Sequence, residues 1–174
     1  MSEEESYKMT VSLNVLEHLG LNLYSNIPAV LSEAVANSWD ADARHVYIDI
    51  DPDEQTIEIE DDGHGMSKEE VNERYLYVGY RRREDETRPN KTPKYGRPVM
   101  GRKGIGKLSL FSIANTIEVY TTDGTDRSAF RMDVEEMRDK MESTNVRGET
   151  AVYHPEELEQ FPDDLTQGTK VVLR

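Results

Sequence analysis

The chain has 174 residues, of which 36% are hydrophobic and 32% are charged, and its formal net charge is -14 at neutral pH. A chain of this size can bury the core of one domain, and so acidic a body is not attracted as a whole to nucleic acid or anionic membranes. It has no cysteine, which excludes disulfides, thiolate nucleophiles and zinc–thiolate sites, and its four histidines are too scattered to suggest a metal cluster.

The amino terminus, MSEEESYKM, is acidic and lacks the basic region and apolar core of a secretory signal. No window approaches the roughly 18 consecutive apolar residues of a membrane-spanning helix. We therefore expect a cytoplasmic domain without membrane contact. The last segment, QGTKVVLR, predicts a strand without a tail, so we expect residues 1–174 to be a single domain from the N-terminal part of a longer protein.

Two helices are predicted before the first strands. Residues 10–19 give a short helix that Gly20 ends, and a longer helix follows with Ser25 or Asn26 as its N-cap and Pro28 in its first turn. The longer helix carries an apolar stripe with the spacing of one helix face. That stripe consists of Ile27, Val30, Leu31, Ala34 and Val35.

Glu33 and Asn37 lie four residues apart in the longer helix, so they share a face beside the apolar stripe. A carboxylate and an amide in that position can line the edge of a pocket. Since E-x-x-x-N is a common pattern, a solvated helix edge is the alternative.

Two segments with a period of two come next. Residues 46–50 and 57–59 alternate apolar with polar side chains on either side of a turn, which predicts an antiparallel hairpin with one wet face. Residues 66–78 then predict a helix, in which Ser67 and Glu70 have the spacing of a capping box.

Residues 79–100 have no periodicity and contain three prolines, so they predict a loop. Structureless loops longer than about 12–15 residues are uncommon and often serve as lids. Ten of the 21 basic residues lie between Arg81 and Lys107, against three acidic ones. This charge favours a lid that orders over a triphosphate. A disordered basic loop and a nucleic-acid contact are the alternatives.

The remaining predicted elements are a helix over about 107–114, strands over 117–121 and 128–133, a short helix over 134–141 and a strand over 169–173. Residues 142–168 give no clear prediction. Few of the strands are joined by helical crossovers, so the order of elements predicts an α/β (α+β) two-layer sandwich rather than a doubly wound sheet.

The segment GRKGIGK, residues 101–107, is a candidate phosphate-binding motif. It has the glycine spacing of a Walker loop, but Leu108 follows Lys107 where a Ser or Thr would ligate magnesium, and no convincing strand precedes it. Its G-x-x-G-x-G order also fails the Rossmann spacing. The motif is therefore either a glycine-rich turn that opens a helix and binds an anion, or simply a glycine-rich helix start.

The segment EIEDDGHGM, residues 58–66, is a second candidate. A strand runs into two aspartates, and Gly63 and Gly65 then flank His64, so a carboxylate lies at a sheet end where the backbone can pass close to a ligand. Such a carboxylate can accept a hydrogen bond from an amine. An ordinary acidic turn is the alternative.

The ordered set E-x-x-x-N, D-x-G-x-G and G-x-x-G-x-G, with Gly168-Thr169 before the last strand, resembles the GHKL superfamily of Bergerat-fold ATPases over residues 30–174. This superfamily includes type II topoisomerase ATPase subunits, ninety-kilodalton heat-shock chaperones, MutL and the Microrchidia proteins. Asp62 stands where the family frequently has Asn. The resemblance implies a mixed, mostly antiparallel sheet with helices on one face and an ATP lid over residues 79–100.

The resemblance also implies roles for individual residues. Glu33 would be the general base that orients the attacking water, and Asn37 would ligate magnesium. Asp61 would accept a hydrogen bond from the adenine amino group, with Thr169 supporting it through water, and Gly65 would let the base approach closely. The other nucleotide contacts implied are Asp40, Gly63, Met66, Gly101, Lys103, Gly104, Ile105, Gly106 and Lys107.

The function implied is Mg-ATP binding and hydrolysis that drives lid closure and homodimerisation of a larger machine, with a protein or nucleic-acid client engaged by other domains. Glu33 argues against a histidine kinase, since those usually lack this base, and GRKGIGK is closer to the chaperone pattern than to that of MutL. A nucleotide-sensing module that does not hydrolyse ATP is the alternative, followed by a histidine-kinase catalytic domain.

Overall fold

The computed structural model of the chain describes residues 7–11, 26–78, 90–101, 106–145 and 151–174. Its helices are α1 Ile27–Asp40, α2 Lys68–Glu70, which continues as a π-helical turn over Val71–Tyr75, and α3 Val134–Asn145, with a 3-10 helix over Gly106–Ser112. Its strands are β1 Met9–Val11, β2 Val46–Asp51, β3 Thr56–Asp61, β4 Tyr77–Val78, β5 Thr116–Thr122, β6 Arg127–Asp133, β7 Ala151–Tyr153, β8 Glu156–Glu157 and β9 Gly168–Leu173.

Six of the described strands form a sheet in the order β2-β3-β9-β5-β6-β8, in which every neighbouring pair is antiparallel. A smaller sheet, β4-β1-β7, joins β1 to β4 in parallel and to β7 in the antiparallel sense. Val30 of α1 is fully buried in the hydrophobic core that the larger sheet also lines. The predicted α+β sandwich with a mostly antiparallel sheet is therefore confirmed.

The strand register sorts one face of the larger sheet into three rows, because residues directly opposite each other in antiparallel strands point to the same face. Two rows are apolar and belong to the core; they are Ile57, Leu173, Ile117 and Met132, and Ile59, Val171, Val119 and Phe130. The third row, which we call the polar row, is Asp61, Thr169, Thr121 and Ser128. One end of this face is thus apolar and the other end is polar.

Most of the predicted elements are confirmed. The hairpin of β2 and β3, the strands β5, β6 and β9, and the helix α3 lie where they were predicted. Asn26 caps α1, since its side chain accepts the amide of Ala29 over 3.0 Å. The capping box is also present: the Ser67 hydroxyl accepts the amide of Glu70, and the Glu70 carboxylate accepts the amide of Ser67.

Several boundaries differ from prediction because non-local pairing decides them. The helix predicted over 66–78 ends before Tyr77, which enters β4 and pairs with β1. Thr10 and Val11, predicted as helical, belong to β1, and the rest of that predicted helix lies outside the described residues. The segment predicted as a helix over 107–114 is a 3-10 helix that ends at Ser112.

The hairpin differs from prediction in its burial. Ile48 and Ile50 of β2 are 39% and 53% exposed, since β2 lies at the edge of the larger sheet among the described strands. Alternation correctly predicted the strand but could not predict its position in the sheet. As for membranes, the described part of the chain contains no helix both long enough and apolar enough to cross a bilayer.

Candidate functional site

Asp61, the last residue of β3, is the buried carboxylate of the polar row, and only 9% of the residue is exposed. Its Oδ1 accepts the amide of Gly63 over 2.9 Å, and its Oδ2 accepts the hydroxyl of Ser38 over 2.9 Å. Burial raises the pKa of Asp61 even though both donors oppose that shift. When ionised, this fixed carboxylate is an acceptor for a ligand's amine.

Ser38, which holds Asp61 from α1, was not predicted as a site residue. It is buried, and its hydroxyl also lies 3.2 Å from the carbonyl oxygen of Ala34. The signal in the sequence is a serine on the apolar side of an amphipathic helix, where a buried hydroxyl requires a partner. Because Ser38 directly follows Asn37, its contact with Asp61 connects the first motif, E-x-x-x-N, to the second, D-x-G-x-G.

Thr121 is the second site residue that sequence reasoning missed. It is fully buried, and its Oγ1 lies 3.0 Å from Oγ1 of Thr169, 3.1 Å from the carbonyl oxygen of Gly168 and 3.1 Å from the amide of Met66. Only the register of β5 against β9 brings Thr121 to Thr169, so no local signal could have found it. The contact also places the Met66 backbone on the end of β5.

Gly65 lies where two backbones meet. Its φ is +66°, and a Cβ on it would stand 1.8 Å from the carbonyl oxygen of Thr122. Gly168 is similar, with a φ of +122° and a Cβ position 1.9 Å from the carbonyl oxygen of Asp61. These two glycines let the segment after Asp61 lie directly against the sheet, which shapes the polar end of the site.

One edge of α1 carries three predicted site residues, since Glu33, Asn37 and Asp40 are spaced i, i+4 and i+7. Glu33 is half-buried, Asn37 is exposed and Asp40 is buried. Asp40 accepts the amide of Met100 over 2.7 Å and that of Gly101 over 2.9 Å. The start of the glycine-rich motif is therefore held at the helix edge that carries Glu33 and Asn37.

Asp42 holds the segment 90–101 at the C-terminal end of α1. This buried residue has a φ of +61° and accepts the amides of Lys94 and Tyr95 over 2.6 and 3.3 Å. Burial alone would raise the pKa of Asp42, but the Thr92 hydroxyl, these amides and the Arg97 charge together lower it. The described part of the predicted lid is thus docked on the helix.

Arg97 completes this docking. Its guanidinium lies 4.6 Å from the ring centroid of Trp39 and 4.7 Å from that of Tyr95, and its Nη1 donates to the carbonyl oxygen of Ala43 over 2.7 Å. The Trp39 indole donates to the carbonyl oxygen of Pro98 over 3.0 Å. Stacking and hydrogen bonds together fix segment 90–101 to α1.

Asp62, which stands where the resembled family frequently has Asn, turns its oxygens to the chain itself. Its Oδ1 accepts the amides of Arg44 and His45 over 2.6 and 2.8 Å, and its Oδ2 lies 2.8 Å from Nδ1 of His45. Burial opposes the shift, but these contacts lower the pKa of Asp62 to about 2. Asp62 therefore joins the end of β3 to the start of β2.

The other predicted site residues are described in part. Gly63 is buried beside Ala41, and the Met66 side chain packs against the core. Gly106 and Lys107 begin the 3-10 helix, whereas Lys103, Gly104 and Ile105 lie outside the described residues.

A separate open concavity of about 440 Å³ contains none of these residues. Arg131 there pairs with Glu118 over 3.0 Å and with Glu156 over 3.2 Å. The motifs therefore indicate the polar end of the sheet, and not this concavity, as the functional site.

The chain is similar in sequence to known proteins. A family model described as histidine kinase-, DNA gyrase B- and HSP90-like ATPase matches residues 24–164. A Herpetosiphon aurantiacus protein with the provisional name type II restriction enzyme HgiDII is 40% identical over 174 residues, which cover 98% of this chain and 26% of the relative.

Two further relatives are less similar. The chaperone protein HtpG of Mycobacterium tuberculosis is 26% identical over 179 residues, covering 86% of this chain and 27% of its own. The mitochondrial TNF receptor-associated protein 1 homolog of Dictyostelium discoideum is 26% identical over 147 residues, which cover 74% of this chain and 20% of that relative. The chain thus spans about a quarter of the length of the curated relatives it matches.

Proposed function

Because the chain belongs to the family of histidine kinase-, DNA gyrase B- and HSP90-like ATPases, we propose that it binds ATP with magnesium and hydrolyses it, with Glu33 as the general base. The observation that carries this proposal is the convergence of separated motifs on α1. Ser38 contacts Asp61 of the second motif, and Asp40 contacts Gly101 of the third. One helix therefore contacts both the carboxylate that we assign to adenine and the first residue of the segment that we assign to the phosphates.

Asp61 binds the adenine amino group in this proposal. Its Oδ1 and Oδ2 are held by Gly63 and Ser38, so the ionised carboxylate presents its remaining lone pairs in a fixed direction. Thr169 is the direct partner of Asp61 across β3 and β9, and in this proposal it lies beside the adenine. A buried acceptor of this kind discriminates strongly, because an unmatched ligand leaves it without a donor.

The phosphates bind to residues 101–107 in this proposal. The two amides that Asp40 accepts fix Gly101, the first residue of this segment, and the 3-10 helix begins at Gly106. Amides of Gly104, Ile105 and Gly106 supply donors to the phosphate oxygens, and Lys103 and Lys107 add positive charge.

Asn37 fits a magnesium ion, since its amide oxygen is a hard donor and it lies exposed on the helix edge that holds Gly101. Bound there, magnesium would supply positive charge against the phosphates. Glu33, one turn earlier on the same edge, accepts the proton of the attacking water. The half-buried position of Glu33 limits water access without closing it.

Residues 79–100 act as the ATP lid in this proposal. Their described part, docked through Asp42 and Arg97, is the end of the lid that is fixed to α1. Lid closure over the triphosphate leads to a homodimer in this proposal, as the resemblance to GHKL ATPases implies. We assign DNA as the client, because the relative that is 40% identical over nearly the whole chain carries the name of a restriction enzyme. Further parts of the protein would supply that contact.

The test measures ATP binding by calorimetry and phosphate release in parallel for matched variants. Glu33→Gln is expected to bind ATP normally and to lose turnover by about a hundredfold or more, the usual contribution of a general base. Glu54→Gln, in the exposed turn between β2 and β3, is the matched control and should behave like the wild type.

Normal turnover by the Glu33→Gln variant would exclude Glu33 as the base. Tight ATP binding without turnover by the wild type, even in the full-length dimer, would indicate a nucleotide-sensing module instead. Transfer of the γ-phosphate to a histidine of a partner would indicate a kinase. For the client, ATP turnover by the full-length protein should rise when DNA is added, and an unchanged rate would contradict this assignment.

A further inference from the structure

We propose that Thr121 is a positioning residue that directs the proton of the Thr169 hydroxyl away from the base, so that the site selects an exocyclic amino group over a 6-oxo group. This inference rests on the proposed function, because it assumes that the base lies against Asp61 and Thr169. It concerns the two middle members of the polar row, which pair across β5 and β9.

The Thr121 hydroxyl has one proton and two lone pairs, and its three neighbours occupy all three. The amide of Met66, 3.1 Å away, can only donate, so Thr121 accepts from it. The carbonyl oxygen of Gly168, 3.1 Å away, can only accept, so the Thr121 proton points to it. The remaining lone pair faces Oγ1 of Thr169 at 3.0 Å, and Thr169 must donate there.

Thr169 therefore spends its proton on Thr121 and turns lone pairs towards the site. Asp61, its partner across β3 and β9, already receives donors from Gly63 and Ser38, so it too faces the ligand as an acceptor. A base with an amino group supplies the donor that this edge lacks. A 6-oxo base brings another acceptor instead and is rejected.

Loss of the Thr121 hydroxyl should free the Thr169 proton. That proton could then donate to Asp61, in competition with the amino group, or to the oxygen of a 6-oxo base. The first change weakens ATP binding and the second strengthens ITP binding, so both lower the preference for ATP over ITP. The preference for ATP should therefore fall by about fivefold in Thr121→Val, the size expected for one neutral hydrogen bond.

The experiment measures the dissociation constants of ATP and ITP for the 174-residue chain by calorimetry, with thermal unfolding as a check on folding. Thr121→Ser keeps the hydroxyl and should retain the wild-type ratio. Ser128→Ala is the matched control: within the described part of the chain, the buried Ser128 hydroxyl in the same row has no hydrogen-bond partner. It should leave the ratio unchanged.

A merely structural role for Thr121 would weaken both nucleotides by the same factor, and an unchanged ratio in Thr121→Val would overturn the inference. If Thr121 acts through Thr169, Thr121→Val should have no further effect on the ratio in a Thr169→Val background; an additive effect would also overturn it. Failure of the wild type to bind ATP would instead overturn the proposed function and this inference with it. Should Thr121→Val fail to fold, an altered ratio in Thr121→Ser would contradict the inference.

Discussion

The hydroxyl of Ser38 on α1 donates to Oδ2 of Asp61 at the end of β3 over 2.9 Å, and both residues are buried. This hydrogen bond joins the helix that carries Glu33 and Asn37 to the carboxylate that we assign to adenine binding. Because the acceptor is a buried charge, the bond should contribute more than a neutral one.

We expect Ser38→Ala to lower the free energy of unfolding by about 2 kcal/mol, since it removes a donor from a buried carboxylate. The pKa of Asp61 should rise further, so that ATP binding is lost at a higher pH than in the wild type. Chemical denaturation and the pH dependence of ATP affinity measure both effects. Ser32→Ala on the same helix removes only an exposed hydroxyl bonded to the carbonyl oxygen of Pro28, and equal losses in both variants would contradict the prediction.

Asp61→Asn should abolish ATP binding and yet raise the free energy of unfolding at neutral pH, because it removes a buried charge. Burial raises the pKa of Asp61 in the folded protein, so the folded state holds this proton at pH values where the unfolded chain has released it. Its contribution to stability therefore falls as the pH rises through the raised pKa and is constant above it. The gain from Asn should vanish as the pH falls back through that range, which denaturation at a series of pH values tests; a gain that persists below pH 3.8 would contradict it.

Gly65→Ala should cost about 4 kcal/mol or more, because its Cβ would lie 1.8 Å from the carbonyl oxygen of Thr122 in addition to the cost of a positive φ. Gly96→Ala isolates the cost of the positive φ. Gly96 has a φ of +62° with no atom within 4 Å of its Cβ position, so we expect a loss of about 1 kcal/mol. Similar losses in denaturation would show that the close contact at Gly65 is not required.

Asp62→Asn should leave ATP binding near the wild type and lower stability less than Asp62→Ala, because an amide oxygen can replace Oδ1 and accept the amides of Arg44 and His45. Asp62→Ala should cost about 1 kcal/mol, a modest value because solvent screens this half-exposed carboxylate. The pKa of Asp62 is lowered to about 2, so the stability that its ionised carboxylate contributes is present above pH 3.8 and is lost as the pH falls towards 2. The difference in free energy of unfolding between Asp62→Ala and the wild type should narrow over that pH range in acid denaturation. A constant difference would contradict the prediction.

Local patterns were sufficient to predict much of the fold. Alternation predicted β2 and β3, and the spacing of Ser67 and Glu70 predicted a capping box that the structure contains. The strands β7 and β8 were not predicted, since three and two residues are too few to show a period. The exposure of Ile50 was missed because it depends on which strand lies at the sheet edge.

The candidate site was predictable only where motifs carry it. Asp61 was singled out by the glycines that follow it, whereas Ser38 and Thr121 belong to no motif and reach the site through tertiary packing and strand register. Asp40 was predicted to contact the nucleotide, and its carboxylate accepts the amides of Met100 and Gly101. Its contact with the nucleotide stays a prediction.

Trp39 is the only tryptophan of the chain, and it lies where α1 meets segment 90–101. The guanidinium of Arg97 covers one part of its ring, while 39% of the residue is open to solvent. Indole emission depends on such surroundings, so the protein carries its own optical probe at this junction. Release of segment 90–101 should shift that emission to longer wavelength and expose the indole to quenchers, without any label being attached.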